Sequence, residues 1–83
     1  MPATTVTLLS RPGCHLCDDA RAIVERVVGE VGGVALVERS ILDDAALLER
    51  YRDEIPVVLI DGDVHTIWRV DEARLRTALL EAS

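Results

Sequence analysis

The stretch Thr4–Ala20, TTVTLLSRPGCHLCDDA, decides the fold. An apolar, β-favouring run ends at a turn around Pro12, and the two cysteines, Cys14 and Cys17, follow with two residues between them. An amphipathic helix pattern begins at once. Thiols at the start of a helix face its unpaired backbone N–H groups and the positive end of its dipole, which favours the reactive thiolate. A strand, a turn, a C-x-x-C pair and a helix in this order predict a redox centre.

Two other interpretations of the cysteine pair are open. A structural zinc site needs four ligands, and the chain offers only two cysteines and two histidines, without a second pair at ligand spacing. Of these histidines, His65 is expected at the surface. The second alternative is a pair of cysteines that are simply buried. The position of the pair between a strand and a helix favours the redox centre over both alternatives.

Length and charge restrict the possible functions. A chain of 83 residues predicts a single domain, 1–83, with a modest core. The net charge of −6 argues against nucleic acid and anionic membranes as partners, because both attract basic patches. The sequence shows no signal peptide and no long apolar run, so we expect no membrane span and a cytoplasmic protein. There a C-x-x-C pair is more often catalytic or metal-binding than a structural disulfide.

The chain continues by alternating helix and strand patterns, which predicts the order β-α-β-α-β-β-α. The predicted strands are 5–10, 34–38, 56–60 and 64–69, and the helices begin after the cysteine turn, at Asp43 or Asp44, and at Asp71. Gly32-Gly33 ends the first helix, and Asp61-Gly62 predicts a hairpin. The fold class is therefore α/β, with a mixed four-stranded sheet whose first two strands are parallel.

The first helix has a regular pattern of apolar and charged residues. Its apolar residues at helical spacing are expected to face the core: Leu16, Ala20, Ile23, Val24, Val27 and Val31. On the other face, i,i+4 spacing predicts ion pairs of Arg21 with Glu25 and of Arg26 with Glu30.

Two segments, RPGCHLC at 11–17 and EIPVVLIDG at 54–62, resemble one known family. The C-x-x-C pair, the element order and a proline that opens the third strand are together similar to the glutaredoxin branch of the thioredoxin-fold superfamily. The chain resembles its minimal form, the small bacterial glutaredoxin-like proteins, over nearly its whole length. The resemblance implies a thioredoxin-like fold and a thiol–disulfide oxidoreductase.

The family assigns a role to each matching residue. The resemblance implies that Cys14 is the nucleophile and Cys17 resolves the mixed disulfide. Cys14 also lies at the lip of the predicted helix, nearer to solvent than Cys17. Pro56 matches the family's cis-proline, beside which the backbone of Ile55 and Val57 is expected to pair with a substrate. The substrate would be a disulfide in a protein or a small molecule, and the electron donor a dithiol reductase or glutathione. We expect no built-in metal or organic cofactor and a monomer.

The sequence departs from the family pattern at three places. Arg11 replaces a lysine, His15-Leu16 replaces Pro-Tyr between the cysteines, and Trp68-Arg69 replaces two glycines that let the glutathione backbone approach. The acidic pair that follows these glycines at a helix start in the family is matched by Asp71-Glu72, and the resemblance makes Asp71 a candidate contact for glutathione. These departures predict poor use of glutathione.

Each departing side chain has a functional and a structural interpretation. Arg11 is a candidate for a glutathione carboxylate or an exposed loop residue, and His15 a candidate for stabilising the thiolate or only a weak donor. Trp68 either floors a substrate groove or packs at the edge of the sheet. Arg39 and Arg69 either clamp a carboxylate together or are solvated surface charges.

Two functions of other classes remain open. The cysteine pair is also compatible with a protein that binds or delivers a soft metal or an iron–sulfur cluster, since thiolates select such ions. A non-catalytic binding module on the same fold is the third hypothesis, and the intact cysteine pair argues against it.

Overall fold

The computed structural model describes residues 4–82, and these residues show the predicted order of elements. The strands are β1 (Thr4–Ser10), β2 (Val34–Ser40), β3 (Val57–Ile60) and β4 (Asp63–Ile67). The α-helices are α1 (His15–Val31), α2 (Ala45–Tyr51) and α3 (Glu72–Ala82), and a 3-10 helix, Ile41–Asp43, precedes α2. No helix within residues 4–82 is long and apolar enough to cross a membrane.

The sheet has the strand order β2-β1-β3-β4. Strand β1 is parallel to β2, and β3 is antiparallel to both β1 and β4. The predicted mixed, four-stranded α/β fold is therefore confirmed. Strand β1 is covered on both faces, since Val6 and Leu8 pack into one cluster and Leu9 into another.

Aliphatic side chains form both clusters, as a chain without phenylalanine requires. The larger cluster joins the sheet to α1 and α3 through Val6, Leu8, Ala20, Val24, Val27, Val58, Leu75 and Leu79. The smaller one, Leu9, Ile41 and Val57, packs against half-buried Leu47, Leu48 and Tyr51 of α2. Helices α1 and α3 therefore cover one face of the sheet, and α2 covers the other.

Helix α1 differs from its sequence pattern in two respects. Leu16 was expected to face the core, but the residue is 42% exposed. The predicted ion pairs within the helix are also wrong, because α1 packs against β2 and α3 and meets their carboxylates instead. Arg21 pairs with Glu38 of β2, and Arg26 pairs with Glu72 of α3.

The hairpin between β3 and β4 forms where Asp61-Gly62 predicts it. Both residues have positive φ, 50° and 88°, as a two-residue turn of this kind requires. Asp61 also fixes the start of β1, because it donates its N–H to the Thr5 carbonyl and accepts the Thr5 N–H on Oδ1, both at 2.8 Å. Strand β4 ends at Ile67 rather than at Arg69 as predicted, because Trp68 turns to a φ of 68°.

Candidate active site

Cys14 and Cys17 are joined by a disulfide at the start of α1. Their Cα atoms are 5.2 Å apart. Cys14 is the N-cap of the helix, and its Sγ accepts the Cys17 N–H at 3.1 Å. Cys14 is half-buried, whereas Cys17 is fully buried. A solvent molecule or substrate can therefore approach the bond only from the Cys14 side.

The turn before the disulfide depends on Gly13. Its φ is 79°, a conformation that favours glycine, and a Cβ at this position would meet no atom within 4 Å. Arg11 and His15, on either side of this turn, are both exposed. Among residues 4–82, the Arg11 guanidinium has no hydrogen bond or ion pair. Both side chains are thus free to meet an incoming molecule.

The second segment of the site is the start of β3. The Ile55–Pro56 peptide bond is cis, and Pro56 is buried. Val57 lies inside the sheet, where it pairs with Leu9 on one side and with Ile67 on the other. Ile55 precedes the strand and is half-buried. Of the two residues expected to offer their backbone to a substrate, Ile55 lies outside the sheet and Val57 within it.

Trp68 connects the start of β3 to the loop after β4. Its backbone N–H donates to the Pro56 carbonyl at 2.8 Å, and its indole Nε1–H donates to the Asp53 carbonyl at 3.0 Å. The residue is nevertheless 54% exposed. Positive φ is uncommon for such a bulky residue, and these hydrogen bonds hold the loop in that conformation.

Trp68 also borders a groove of about 460 Å³ between α1 and the loop 68–70, which we call the Trp68 groove. Its apolar surface comes from Leu16, Ala20 and Ile23 on one side and from Trp68 and Val70 on the other. Leu16 lies between the two cysteines in the sequence, so this end of the groove is one residue from Cys17, although neither cysteine lines the groove. The sequence pattern missed this surface, since it assigned Leu16 to the core.

Three charged side chains also line the Trp68 groove. They are Asp19 and Arg26 on α1 and Arg69 on the loop. Arg26 is held by Glu72 at 2.5 Å. The Arg69 guanidinium, in contrast, makes no hydrogen bond or ion pair with any residue between 4 and 82. Arg69 therefore supplies an uncompensated positive charge beside an apolar surface.

A second charged cluster, which the sequence did not predict, lies on the other side of the cysteine turn. Arg21 donates from Nε and Nη2 to the two carboxylate oxygens of Glu38 at 2.7 and 2.6 Å, and from Nη1 to Asp18 at 2.8 Å. Ser10 Oγ donates to Glu38 at 2.8 Å. The hydrogen bonds from Arg21, and then that from Ser10, lower the pKa of Glu38 although partial burial opposes them.

This Arg21–Glu38 cluster ties the first turn of α1 to β2. The Asp18 backbone N–H donates to the Cys14 carbonyl at 3.1 Å, so Asp18 links the cluster directly to a residue of the disulfide. Leu36 and Glu38 share one face of β2, and Leu36 packs under α1. The sequence shows by alternation that Leu36 and Glu38 lie on the same face of β2. It does not show the register that pairs Glu38 with Leu8 of β1.

The remaining candidates lie farther from the disulfide. Asp71 accepts the Arg74 N–H at 3.0 Å and so caps α3, as predicted. His65, expected at the surface, is half-buried, and burial followed by the charge of Arg74 lowers its pKa. Arg39 lies on β2 and pairs with Asp44 at 3.7 Å, whereas Arg69 follows β4 at the opposite edge of the sheet. The two arginines therefore form no common carboxylate clamp.

The chain is similar to known proteins in sequence and in fold. Residues 5–80 match the family model described as Glutaredoxin-like domain (DUF836). An uncharacterised protein of Mycobacterium tuberculosis is 30% identical over 100% of this chain and 90% of its own length. Protein XcR50 from X. campestris is 36% identical, with a TM-score of 0.73 over 94% of this chain and 97% of its own. A mutant thioredoxin from Halobacterium salinarum, 18% identical, shares the fold with a TM-score of 0.72 over 96% of this chain and 74% of its own.

Proposed function

Since the chain belongs to the glutaredoxin-like domain family, we propose that it is a thiol–disulfide oxidoreductase that acts through Cys14 and Cys17. The observation that carries the proposal is the asymmetry of the pair. Cys14 is half-buried at the N-cap of α1, and Cys17 is fully buried but bonded to it. This asymmetry supports an exchange in which the Cys14 sulfur meets the substrate and the Cys17 sulfur acts only on Cys14.

The reaction is a pair of thiol–disulfide exchanges. The Cys14 thiolate attacks one sulfur of a substrate disulfide, and the other substrate sulfur leaves as a thiolate that takes up a proton. The Cys17 thiolate then attacks Cys14 Sγ, breaks the mixed disulfide and releases the second substrate thiol. The protein dithiol is thereby oxidised to the Cys14–Cys17 disulfide, and the substrate is reduced by two electrons and two protons. Orphan N–H groups at the helix start favour the Cys14 thiolate.

An extended substrate chain that carries a disulfide can pair with the backbone of Ile55 beside the cysteines. Ile55 lies outside the sheet and directly precedes buried Pro56, whereas Val57 is already paired on both sides. We therefore assign backbone pairing to Ile55, and packing beneath the substrate to Pro56. Arg11 and His15 are exposed at the turn and contact the substrate near the reacting sulfur.

The electron donor in this proposal is a dithiol reductase, and glutathione is at most a poor co-substrate. A glutathione backbone needs close approach at the loop after β4, and there Trp68 and Arg69 stand instead of glycines. Loss of close approach and of a packing face reduces binding by on the order of 1 kcal/mol each. The protein works as a cytoplasmic monomer, with Asp71 serving as the cap of the α3 helix rather than as a direct contact.

The test is a coupled reduction of a small uncharged disulfide, hydroxyethyl disulfide, run once with thioredoxin reductase and NADPH and once with glutathione, glutathione reductase and NADPH. We expect turnover with the dithiol donor and little with glutathione. Cys17→Ser should accumulate a mixed disulfide on Cys14, visible by mass spectrometry. Absence of turnover with either donor, together with no mixed disulfide, would overturn the proposal.

The double variant Trp68→Gly/Arg69→Gly tests the role of the loop in the same assay. If the two side chains obstruct glutathione, the glutathione-dependent rate should rise, by up to about fivefold for each kcal/mol restored. A fall in that rate would show that these residues bind glutathione. The same change at Glu49 and Arg50, two exposed residues of α2 on the opposite face of the sheet, provides a control for loss of side chains.

Metal or cluster delivery is the competing hypothesis. Within residues 4–82, no three His, Cys, Asp or Glu side chains are grouped so as to hold a metal ion. A metal bound by Cys14 and Cys17 would therefore need ligands from a second molecule. Protein purified anaerobically with stoichiometric zinc or iron, with thiols that resist alkylation until a chelator is added, would favour this function over the oxidoreductase.

A further inference from the structure

We propose that the Trp68 groove binds the polypeptide segment that follows a substrate cysteine, and that it selects a segment with an apolar residue and an acidic one. This inference rests on the proposed function and names its substrate class. The groove begins at Leu16, which lies between the two cysteines in the sequence, so a chain attached to Cys14 through a mixed disulfide would pass Leu16 to enter it.

The length of the groove fits a short extended peptide. Its α1 side runs from Leu16 to Arg26, which at 1.5 Å per residue is about 15 Å. An extended chain covers that distance with about four or five residues. The groove therefore holds more of a substrate than one cysteine and its immediate neighbour, and its volume of about 460 Å³ has room for side chains.

The apolar character of the groove is concentrated next to the disulfide. Leu16 is 42% exposed and Trp68 is 54% exposed, although both are large apolar side chains. Trp68 is held in this exposed position by its bonds to the Pro56 and Asp53 carbonyls. An apolar side chain directly after the substrate cysteine would cover both residues and remove their surfaces from water.

The charge of the groove determines the second preference. Its lining carries Arg26, Arg69 and Asp19, a net positive charge on a chain whose net charge is −6. Arg26 is already paired with Glu72, and Asp19 lies on α1, opposite the loop that carries Arg69. The Arg69 guanidinium has no partner within residues 4–82. A carboxylate on the loop side of the bound segment would supply one.

The experiment uses three symmetric peptide disulfides in which cysteine is followed by leucine and then by two glutamates, two glutamines or two lysines. Reduction of each by the reduced protein yields two peptide thiols and the Cys14–Cys17 disulfide. Single-turnover rates are measured for the wild type, Arg69→Glu and Arg50→Glu. Each rate is divided by the rate of the same peptide with dithiothreitol, an uncharged dithiol, which corrects for the intrinsic reactivity of the peptide. Arg50 is an exposed residue of α2, on the opposite face of the sheet, and its replacement changes the net charge equally.

The wild type should prefer the glutamate peptide over the lysine peptide by about threefold to tenfold at low salt, with glutamine between them. Arg69→Glu should reverse this order of rates, and Arg50→Glu should keep it. Adding NaCl to about 0.5 M shortens the screening length to about 4 Å and should reduce the preference for the glutamate peptide. Equal rates for the three peptides, or an order that survives Arg69→Glu, would overturn the inference.

Two other occupants give different results. If glutathione disulfide reacts faster than the glutamate peptide and slows in Arg69→Glu, the groove serves a small anionic thiol and the polypeptide assignment is overturned. If sedimentation shows a dimer that Trp68→Ala dissociates, a second copy covers the groove and the inference also fails. Hydroxyethyl disulfide distinguishes failure of the groove proposal from failure of the proposed function. If the protein reduces it but shows no preference among the peptides, only the groove proposal is refuted. If the protein reduces no disulfide at all, the oxidoreductase function is refuted.

Discussion

Gly13 and Trp68 both have positive φ, 79° and 68°, in two different loops of the site. At Gly13 the conformation has no steric cost, because the residue has no Cβ. At Trp68 it costs about 1–2 kcal/mol, the usual penalty for an L-residue in this region. Hydrogen bonds to Pro56 and Asp53 offset that cost and hold the indole against the groove. The turn that carries the nucleophile follows local sequence rules, and the loop that faces a substrate departs from them, as strained functional loops often do.

The largest difference between the two loops should appear in catalysis. Cys14→Ser should remove turnover of hydroxyethyl disulfide, a loss of at least about a thousandfold, because no other thiolate is accessible to the substrate. Trp68→Ala should change the same rate by less than about tenfold, since an uncharged small disulfide needs little of the groove. Steady-state assays of both variants with a dithiol donor make the comparison. A comparable loss in the two variants would place Trp68 at the reacting atoms.

The requirement for glycine in the cysteine turn should be visible in the stability of a Gly13 variant. Gly13→Ala should destabilise the protein by about 1–2 kcal/mol, entirely from the positive φ, since the added Cβ meets no atom within 4 Å. Gly29 provides a matched control, because it lies inside α1, its φ is not positive and its added Cβ also meets nothing. Gly29→Ala should stabilise by up to about 1 kcal/mol. Urea denaturation of both variants measures the difference, and two changes of the same sign would contradict it.

At Trp68, replacement by glycine should leave a more stable protein than replacement by alanine. Trp68→Gly and Trp68→Ala both remove the indole and its hydrogen bond to Asp53, so they differ in the backbone alone. The glycine variant relieves the positive φ, and we expect it to be more stable than the alanine variant by about 1 kcal/mol. Elsewhere in a protein, glycine is usually the less stable of the two. Equilibrium unfolding of the pair decides this, and an alanine variant of equal or greater stability would argue against strain at Trp68.

Local signals in the sequence were sufficient for the fold. The apolar run of β1, the cysteine turn, the Asp61-Gly62 hairpin and the Asp71 cap each depend on residues within a few positions of one another, and the structure has all four. The order of elements along the chain and the fold class followed from them.

The surroundings of the disulfide were harder to predict, because they depend on contacts between distant segments. Glu38 reaches Arg21 only because β2 pairs with β1 in one particular register. Leu16 has the spacing of a core residue, yet it lies in the first turn of α1, where the groove leaves it exposed. A helical pattern reports which residues share a face, but not how far the opposing element extends along that face.

The smallest expected effect concerns the charged cluster that supports the cysteine turn but not the Trp68 loop. Arg21 holds the pKa of Glu38 below its ordinary value of 4.5. The unfolded chain therefore binds this proton at a higher pH than the folded protein does, so the contribution to stability is present above pH 4.5 and is lost as the pH falls towards the folded pKa. The side chains of Arg21 and Glu38 are 33% and 36% exposed, and solvent screening limits the contribution to about 0.5–1 kcal/mol.

Arg21→Gln should consequently destabilise the protein by about that amount at pH 7 and by less in acid below pH 4.5, because the folded protein also takes up the Glu38 proton as the pH passes its lowered pKa. Arg26→Gln is the matched control on the same helix, since Arg26 pairs with Glu72 and not with the cysteine turn. Both variants should lose stability, but only Arg21→Gln should also slow the reaction of Cys14 with iodoacetamide. Without Arg21, the Asp18 carboxylate one turn from Cys14 is no longer paired and opposes the thiolate. Urea titrations at the two pH values and alkylation rates at neutral pH measure these effects. An equal loss of stability at both pH values would remove Glu38 from the argument, and unchanged alkylation would show that the cluster supports the fold of the turn without influencing its chemistry.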